Sequence, residues 1–184
     1  MVAALVFLDR IRDGYVLLTA AMWTWVLGLG SYYLVPSLGP FASAPQDFVD
    51  LPTTKITGTQ IEYLSQRAHL LSNPDDPDAF ASISAFASLH TGFTCMVLMM
   101  LLYYGRTRLA ALLAVYLALT MLATIYFGWH FVVDDVAGVL LAYLAVLFGR
   151  LMIYPRWRDT SPWRLVGGAA RDRASTSKAA RGPR

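Results

Sequence analysis

Charge is scarce in this chain. Only 15% of its 184 residues are Asp, Glu, Lys or Arg and 57% are apolar, against about 25% charged and 45–50% apolar in soluble domains. An ordinary soluble globular class is thereby excluded. Cysteine is nearly absent as well: Cys95 stands alone, so no internal disulfide can form, and its apolar surroundings suit packing. The gaps in charge are long. Uncharged runs extend from Gly14 to Gln46, from Ala79 to Gly105 and from Leu109 to Val133, with histidine counted as neutral; each exceeds the ~18 residues that mark a membrane-spanning candidate. A fourth run, Phe131 to Leu151, is apolar apart from Asp134, Asp135 and Arg150 near its ends. The first 20 residues lack the form of a cleaved signal peptide, because Asp9, Arg10, Arg12 and Asp13 interrupt them and no small-residue cleavage site follows a basic start. No internal repeat is evident.

These features predict an all-α fold, a polytopic membrane helix bundle with about four transmembrane helices. Residues 1–13 read as an N-terminal stub, 14–154 as the membrane domain with an outer loop over 36–80, and 155–184 as a basic, disordered cytoplasmic tail. The formal charge of +3 conceals this division, since Tyr154 to Arg184 carries +6 and the rest −3. Arginine placement orients the helices through the positive-inside bias. Arg10 and Arg12, Arg106 and Arg108, and Arg150, Arg156, Arg158 and Arg164 mark three cytoplasmic regions. The loop from Pro36 to Phe80 sets Lys55 and Arg67 against Asp47, Asp50, Glu62, Asp75, Asp76 and Asp78, and is expected outside.

The first complete helix should run from about Gly14 to Leu34 and break at Pro36-Ser37-Leu38-Gly39-Pro40. In the outer loop, Ile61, Leu64, Ala68 and Leu71 predict a short amphipathic helix from about Thr59 to Leu71. Asn73 to Asp78 reads as a turn; its acids lack the spacing and glycine of a calcium loop. His69 reads as a surface residue. Tyr32 and Tyr33, Tyr103 and Tyr104, Tyr126 and Trp129, and Tyr154 and Trp157 fit an interfacial aromatic belt.

Two histidines open long apolar segments: His90 in Ser88-Leu89-His90-Thr91-Gly92, and His130 in His130-Phe131-Val132-Val133-Asp134. At ~1.5 Å of rise per residue, the interval between them spans roughly 60 Å, about twice a bilayer's hydrocarbon core of ~30 Å. A chain that crosses, turns at Arg106-Thr107-Arg108 and returns brings both histidines to one face, the outer one on the arginine reading. Ionisable groups in apolar spans are costly and point to function. His130 and Asp134, one turn apart on a helix, can pair so that the carboxylate accepts from one imidazole nitrogen and leaves the other free as nucleophile or base. Asp135 is rotated about 100° away, and its charge suits the helix macrodipole. Ser82, Ser84 or Ser88 can cap the helix of His90 and aim free amides at a phosphate. One histidine can then attack phosphorus while the other protonates the leaving oxygen. His90, His130 and Asp134 are also conceivable metal ligands, but with no second histidine at helical spacing and no nearby glutamate, phosphoryl chemistry without metal or other cofactor is the preferred reading.

Ser88-Leu89-His90-Thr91-Gly92 followed by Gly128-Trp129-His130-Phe131-Val132-Val133-Asp134 resembles the second and third signatures of the type 2 phosphatidic acid phosphatase superfamily. The S-L-H form is similar to the inositol phosphorylceramide synthase branch. The resemblance covers about Tyr15 to Tyr154, including the helix ending in Val35-Pro36. It implies a metal-independent membrane enzyme: His130 as nucleophile forming a phosphohistidine, Asp134 orienting it, His90 as general acid, and Ser88 in phosphate binding. Water as acceptor gives a lipid phosphatase, and a lipid hydroxyl gives an inositolphosphotransferase-like enzyme. In two respects the chain departs from the family. Thr124 and Ile125 stand where the phosphatases carry Ser-Arg, and no basic residue lies between Asp13 and Lys55, where the first signature's cations belong. Lys55 and Arg67 from the outer loop are the candidate substitutes. The family usually has six spans, so the expected four resemble its last four: either the chain lacks the first two helices, or it begins within a longer protein, or a second copy or another protein completes the bundle.

The expected partners are a lipid phosphate or phospholipid substrate and the surrounding membrane lipids, not nucleic acid. The expected location is the cell membrane, with the site at the outer face. The competing reading is a noncatalytic, degenerate membrane bundle that binds lipid or a partner protein.

Overall fold

The computed structural model describes residues 11–78 and 84–154. The basic tail from residue 155, most of the expected N-terminal stub and the candidate cap Ser82 lie outside the described residues. Six α-helices follow one another: α1 (Ile11–Leu34), α2 (Pro40–Ser43), α3 (Lys55–Ser72), α4 (Leu89–Tyr103), α5 (Thr107–Tyr126) and α6 (Val132–Ile153), with a 3-10 turn at Pro45–Phe48. Ile11, Arg12 and Asp13, assigned to the stub by sequence, belong to α1.

Three of these helices, α1, α5 and α6, are long and apolar enough to cross a membrane. The chain is an integral membrane protein built as a helical bundle. The fourth expected span is shorter than its uncharged run. Ser88 caps α4 by accepting from the Thr91 amide, so the helix has 15 residues and a length of about 22 Å, less than a bilayer's ~30 Å core. The outer-loop helix is longer than its apolar spacing predicts. Thr54 and Thr57 form a reciprocal capping box that starts α3 at Lys55, four residues before the amphipathic pattern begins.

At the centre of the bundle is α6, packed against both α1 and α4. Its buried stripe is Gly138, Leu141, Ala142, Ala145, Val146, Gly149 and Arg150. It meets Val16, Leu17, Ala20 and Ala21 of α1 and Cys95, Met96 and Met100 of α4 in one apolar core. Small residues let these backbones approach, as is usual between helices in a membrane. A Cβ at Gly149 would stand 2.9 Å from the Ala20 nitrogen and 3.1 Å from the Val16 oxygen. By contrast α5 buries only Ala110 and Leu117 and exposes Leu112, Val115, Leu119 and Leu122 on its far side. That surface suits acyl chains.

One end of the bundle is closed by polar contacts. Asp13 of α1 accepts from the Tyr154 hydroxyl at 3.0 Å through its carboxylate and from the Tyr104 hydroxyl at 2.5 Å through its carbonyl. Arg150, buried, places its guanidinium carbon 4.7 Å from the Tyr103 ring centroid. The arginines at the start of α1, in the α4–α5 turn and at the end of α6 therefore share this end, and the acidic loop from Pro36 to Asp78 lies at the other. In that loop His69 is exposed but not isolated, its Nε2 lying 3.7 Å from Asp76.

Replacing Gly149 with leucine should force α1 away from α6 and cost about 1–3 kcal/mol, the usual range for overpacking. Thermal unfolding in detergent should register the loss, whereas Leu119→Ala on the exposed face of α5 should change little.

Candidate active site

The histidine end is organised by a turn. After α5, Gly128 takes a φ of +71°, and the carbonyl of Thr124 accepts from the amides of Trp129 at 2.8 Å and His130 at 3.3 Å. Thr124 thus serves through its backbone at the position where the phosphatases carry serine. The outer loop packs over this turn. Phe41 donates its amide to the Gly128 carbonyl at 3.0 Å, Gln60 donates its side-chain amide to the Phe127 carbonyl at 2.7 Å, and the rings of Phe41 and Tyr63 meet Trp129 edge-on. A Cβ at Gly128 would clash with Phe48 at 2.7 Å, so glycine is required both by conformation and by space.

This packing buries His130, which is 6% exposed. Its Nδ1 lies 2.9 Å from the Ala85 carbonyl oxygen. A carbonyl can only accept, so Nδ1 carries the hydrogen and Nε2 keeps its lone pair. The expected pairing with Asp134 has a different form. Asp134 Oδ2 is 3.8 Å from Nδ1, an electrostatic contact rather than a hydrogen bond, and it accepts from the Phe131 amide at 2.8 Å, capping its own helix. Burial pushes the His130 pKa below the ordinary histidine value, aided by His90, against the opposing pull of Asp134, Asp135 and the Ala85 carbonyl. The ring is therefore held neutral at pH 7.

His90 is exposed at the second residue of α4, and its ring centroid is 6.2 Å from that of His130. The sequence-predicted convergence of the two rings is present. Ser88 is fully buried. Its amide donates to the Asp134 carbonyl at 3.0 Å and its hydroxyl to Thr91 Oγ1 at 3.2 Å, so its donors are engaged in tying α4 to α6. The Ser88 cap takes up the Thr91 amide, while the amides of Leu89 and His90 in the same first turn have no acceptor among the described residues. Lys55 is exposed at the start of α3 and Arg67 half-buried along it. Among the described residues, neither forms a salt bridge with an acidic side chain.

Several contributors were not legible in sequence. The Ala85 carbonyl is one, since a backbone acceptor has no residue-type signal. Thr91 and Asp135 are others. The Thr91 hydroxyl donates to Asp135 Oδ1 at 2.5 Å, and both side chains are fully buried. Asp135, assigned by spacing to the helix dipole alone, instead faces α4. Its offset of about 100° from the His130 face was the signal that it looks toward a neighbour.

A family model, described as the PAP2 superfamily, matches residues 1–148 and so includes both histidines and both aspartates. Comparison with curated proteins and with solved structures gives no match.

Nitrogen-15 chemical shifts of the ring should identify His130 as the Nδ1–H tautomer at pH 7, with its titration midpoint below the ordinary value of about 6.5. A midpoint above that value would contradict the burial argument.

Proposed function

Because the chain belongs to the PAP2 superfamily, we propose that it is a membrane enzyme that cleaves a lipid phosphoester by transfer to His130. The superfamily's phosphoesterase chemistry supports the reaction class. The observation that carries the residue assignment is the 2.9 Å contact from His130 Nδ1 to the Ala85 carbonyl, because it leaves Nε2 unprotonated on the ring that faces His90.

In this reading Nε2 of His130 attacks phosphorus. The bond to the leaving alkoxide breaks, and His90, exposed and able to exchange protons with water, delivers a proton to that oxygen. His130 then carries phosphorus on Nε2 and hydrogen on Nδ1. The positive ring is stabilised by the Ala85 carbonyl and the Asp134 carboxylate. In the second step His90, now neutral, removes a proton from water or a lipid hydroxyl, the new oxygen attacks phosphorus, and His130 is released. The amides of Leu89 and His90 and the positive end of the α4 dipole hold the phosphoryl oxygens. Arginine placement supports a location of this end of the bundle at the outer face of the cell membrane.

A specific absence in the sequence favours phosphodiester substrates and the phosphotransferase branch. No Lys or Arg occurs from Ala68 to Gly105 or from Leu109 to Gly149, so both signature segments lack a cation. A monoester dianion brings a second negative charge toward Asp134 and Asp135, and guanidinium groups normally offset such charge. A diester has one charge, which helix amides can accommodate. Lys55 and Arg67 remain candidates to supplement them if the outer loop closes over substrate.

Purified protein in lipid micelles should release headgroup or phosphate from one of a panel of phosphodiester and phosphomonoester lipids. His130→Ala should reduce turnover at least 10³-fold, and His90→Ala by about 10²–10⁴-fold. Unchanged turnover in both variants would refute these roles, and inactivity of the parent on every lipid would favour a noncatalytic bundle. Diesters should exceed monoesters in kcat/KM; the reverse order would place the chain among phosphatases. Lowering pH through the His130 midpoint protonates Nε2, so kcat/KM should fall on the acid side, with its midpoint below about 6.5.

A further inference from the structure

The mechanism above leaves one buried acid without a task. Asp135 is fully inaccessible, yet its Oδ2 has no hydrogen-bond partner among the described residues. Its Oδ1 accepts from the Thr91 hydroxyl at 2.5 Å, a length in the range of charge-assisted O–H···O⁻ bonds. A carboxylate can only accept, so Thr91 must donate to it. Thr91 Oγ1 is then free to accept, and it does so from the Ser88 hydroxyl at 3.2 Å. Ser88 Oγ in turn accepts from the Thr91 amide at 3.4 Å, and the Ser88 amide donates to the Asp134 carbonyl at 3.0 Å. The direction of the two hydroxyl bonds follows from the charge on Asp135.

This chain of bonds connects the first turns of α4 and α6, the turns that carry His90 and Asp134 and immediately follow His130. Glycines make the approach possible. A Cβ at Gly138 would meet the Ser88 carbonyl at 2.6 Å and the Gly92 nitrogen at 3.1 Å. A threonine–aspartate bond across so close a contact fixes the rotation of α4 about its own axis, and hence where His90 stands relative to His130. A carboxylate enclosed there also acts at reduced dielectric on the nearest ionisable ring.

Building on the proposed phosphotransfer, we propose that Asp135 is a positioning residue of the site: through Thr91 and Ser88 it sets His90 against His130, and its enclosed negative charge stabilises the cationic ring that His130 becomes during transfer. The groups that act electrostatically on His130 are Asp134 and, turned toward α4, Asp135 on α6, together with His90 on α4 and the Ala85 carbonyl. Asp135 is thus a second carboxylate acting on the nucleophile, at a distance and without a direct bond to it.

Asp135→Asn separates these functions, because the amide oxygen can still accept from Thr91 while the charge is gone. It should lower kcat about 10- to 100-fold with little change in KM, and move the acid limb of the pH profile to lower pH. Thr91→Val, which keeps shape but removes the hydroxyl, should lower kcat without moving that limb, and Thr91→Ser should restore it. A well-folded Asp135→Asn with parental kcat and pH profile would overturn the proposal. His130→Ala, assayed in parallel, reports on the catalytic reading separately: if it turns over like the parent, the nucleophile assignment fails, whatever Asp135 does. Nitrogen-15 titration of the His130 ring needs no turnover. Its midpoint should fall in Asp135→Asn, and an unmoved midpoint would also overturn the proposal.

Discussion

The histidine end of this protein depends on backbone contact between α4 and α6. Gly92 and Gly138 remove the side chains that would hold these helices apart, and the space is used for three polar links: Ser88 amide to Asp134 carbonyl, Ser88 hydroxyl to Thr91, and Thr91 to Asp135. In water such links would add little. Within an apolar bundle an unpaired hydroxyl or carboxylate is expensive, so the same bonds specify one rotation and one register of the helices. Because α4 and α6 run in the same direction, their first turns lie side by side. That is why residues 40 positions apart in sequence bring their rings to 6.2 Å.

The bundle distributes polarity unequally between its ends. At the closed end, Asp13 accepts from Tyr104 and Tyr154, and Arg150 lies over the Tyr103 ring, so that these groups join α1, α4 and α6. At the histidine end, Nε2 of His130 and the amides of Leu89 and His90 have no hydrogen-bond partner among the described residues. The outer loop contributes rigidity there through apolar and aromatic packing on the Phe127–Trp129 turn. It does so with Gln60, Phe41 and Tyr63, not with its cations.

How much of this could be read from sequence varies with the range of the forces involved. Uncharged runs located α1, α5 and α6 closely, because hydrocarbon solvation constrains every residue of a span. They overstated α4, since Ala85 and Ala87 are as apolar as a helix interior while their backbone is occupied otherwise: the Ala85 carbonyl receives His130 and the Ala87 amide donates to Ser31. Meeting of the histidines followed from length and turn position alone. The partner of His130 did not, because i, i+4 spacing makes a carboxylate available without determining whether a nearer carbonyl takes the proton. Asp135 shows the same limit. Its distance from the His130 face could be computed from helix geometry, but the helix it meets there is a tertiary fact.

The balance of charge at the site follows from these contacts. Burial favours a neutral His130, whereas in the proposed transfer the phosphoryl group makes that ring cationic. A site that simply disfavoured the cation would raise the barrier it is meant to lower. Two carboxylates act on the ring, Asp134 at 3.8 Å and Asp135 from the α4 contact, neither hydrogen-bonded to it: their pull does not outweigh desolvation of the resting imidazole, yet it remains in place as positive charge develops in the proposed transfer. Their cost is repulsion of an anionic substrate. With no guanidinium in either signature segment, helix amides and a low substrate charge are what these segments offer to offset that repulsion. On the proposed mechanism the carboxylates that stabilise the nucleophile's cation also select against a dianion, so the electrostatics of the proposed intermediate and the proposed preference for a diester have one origin.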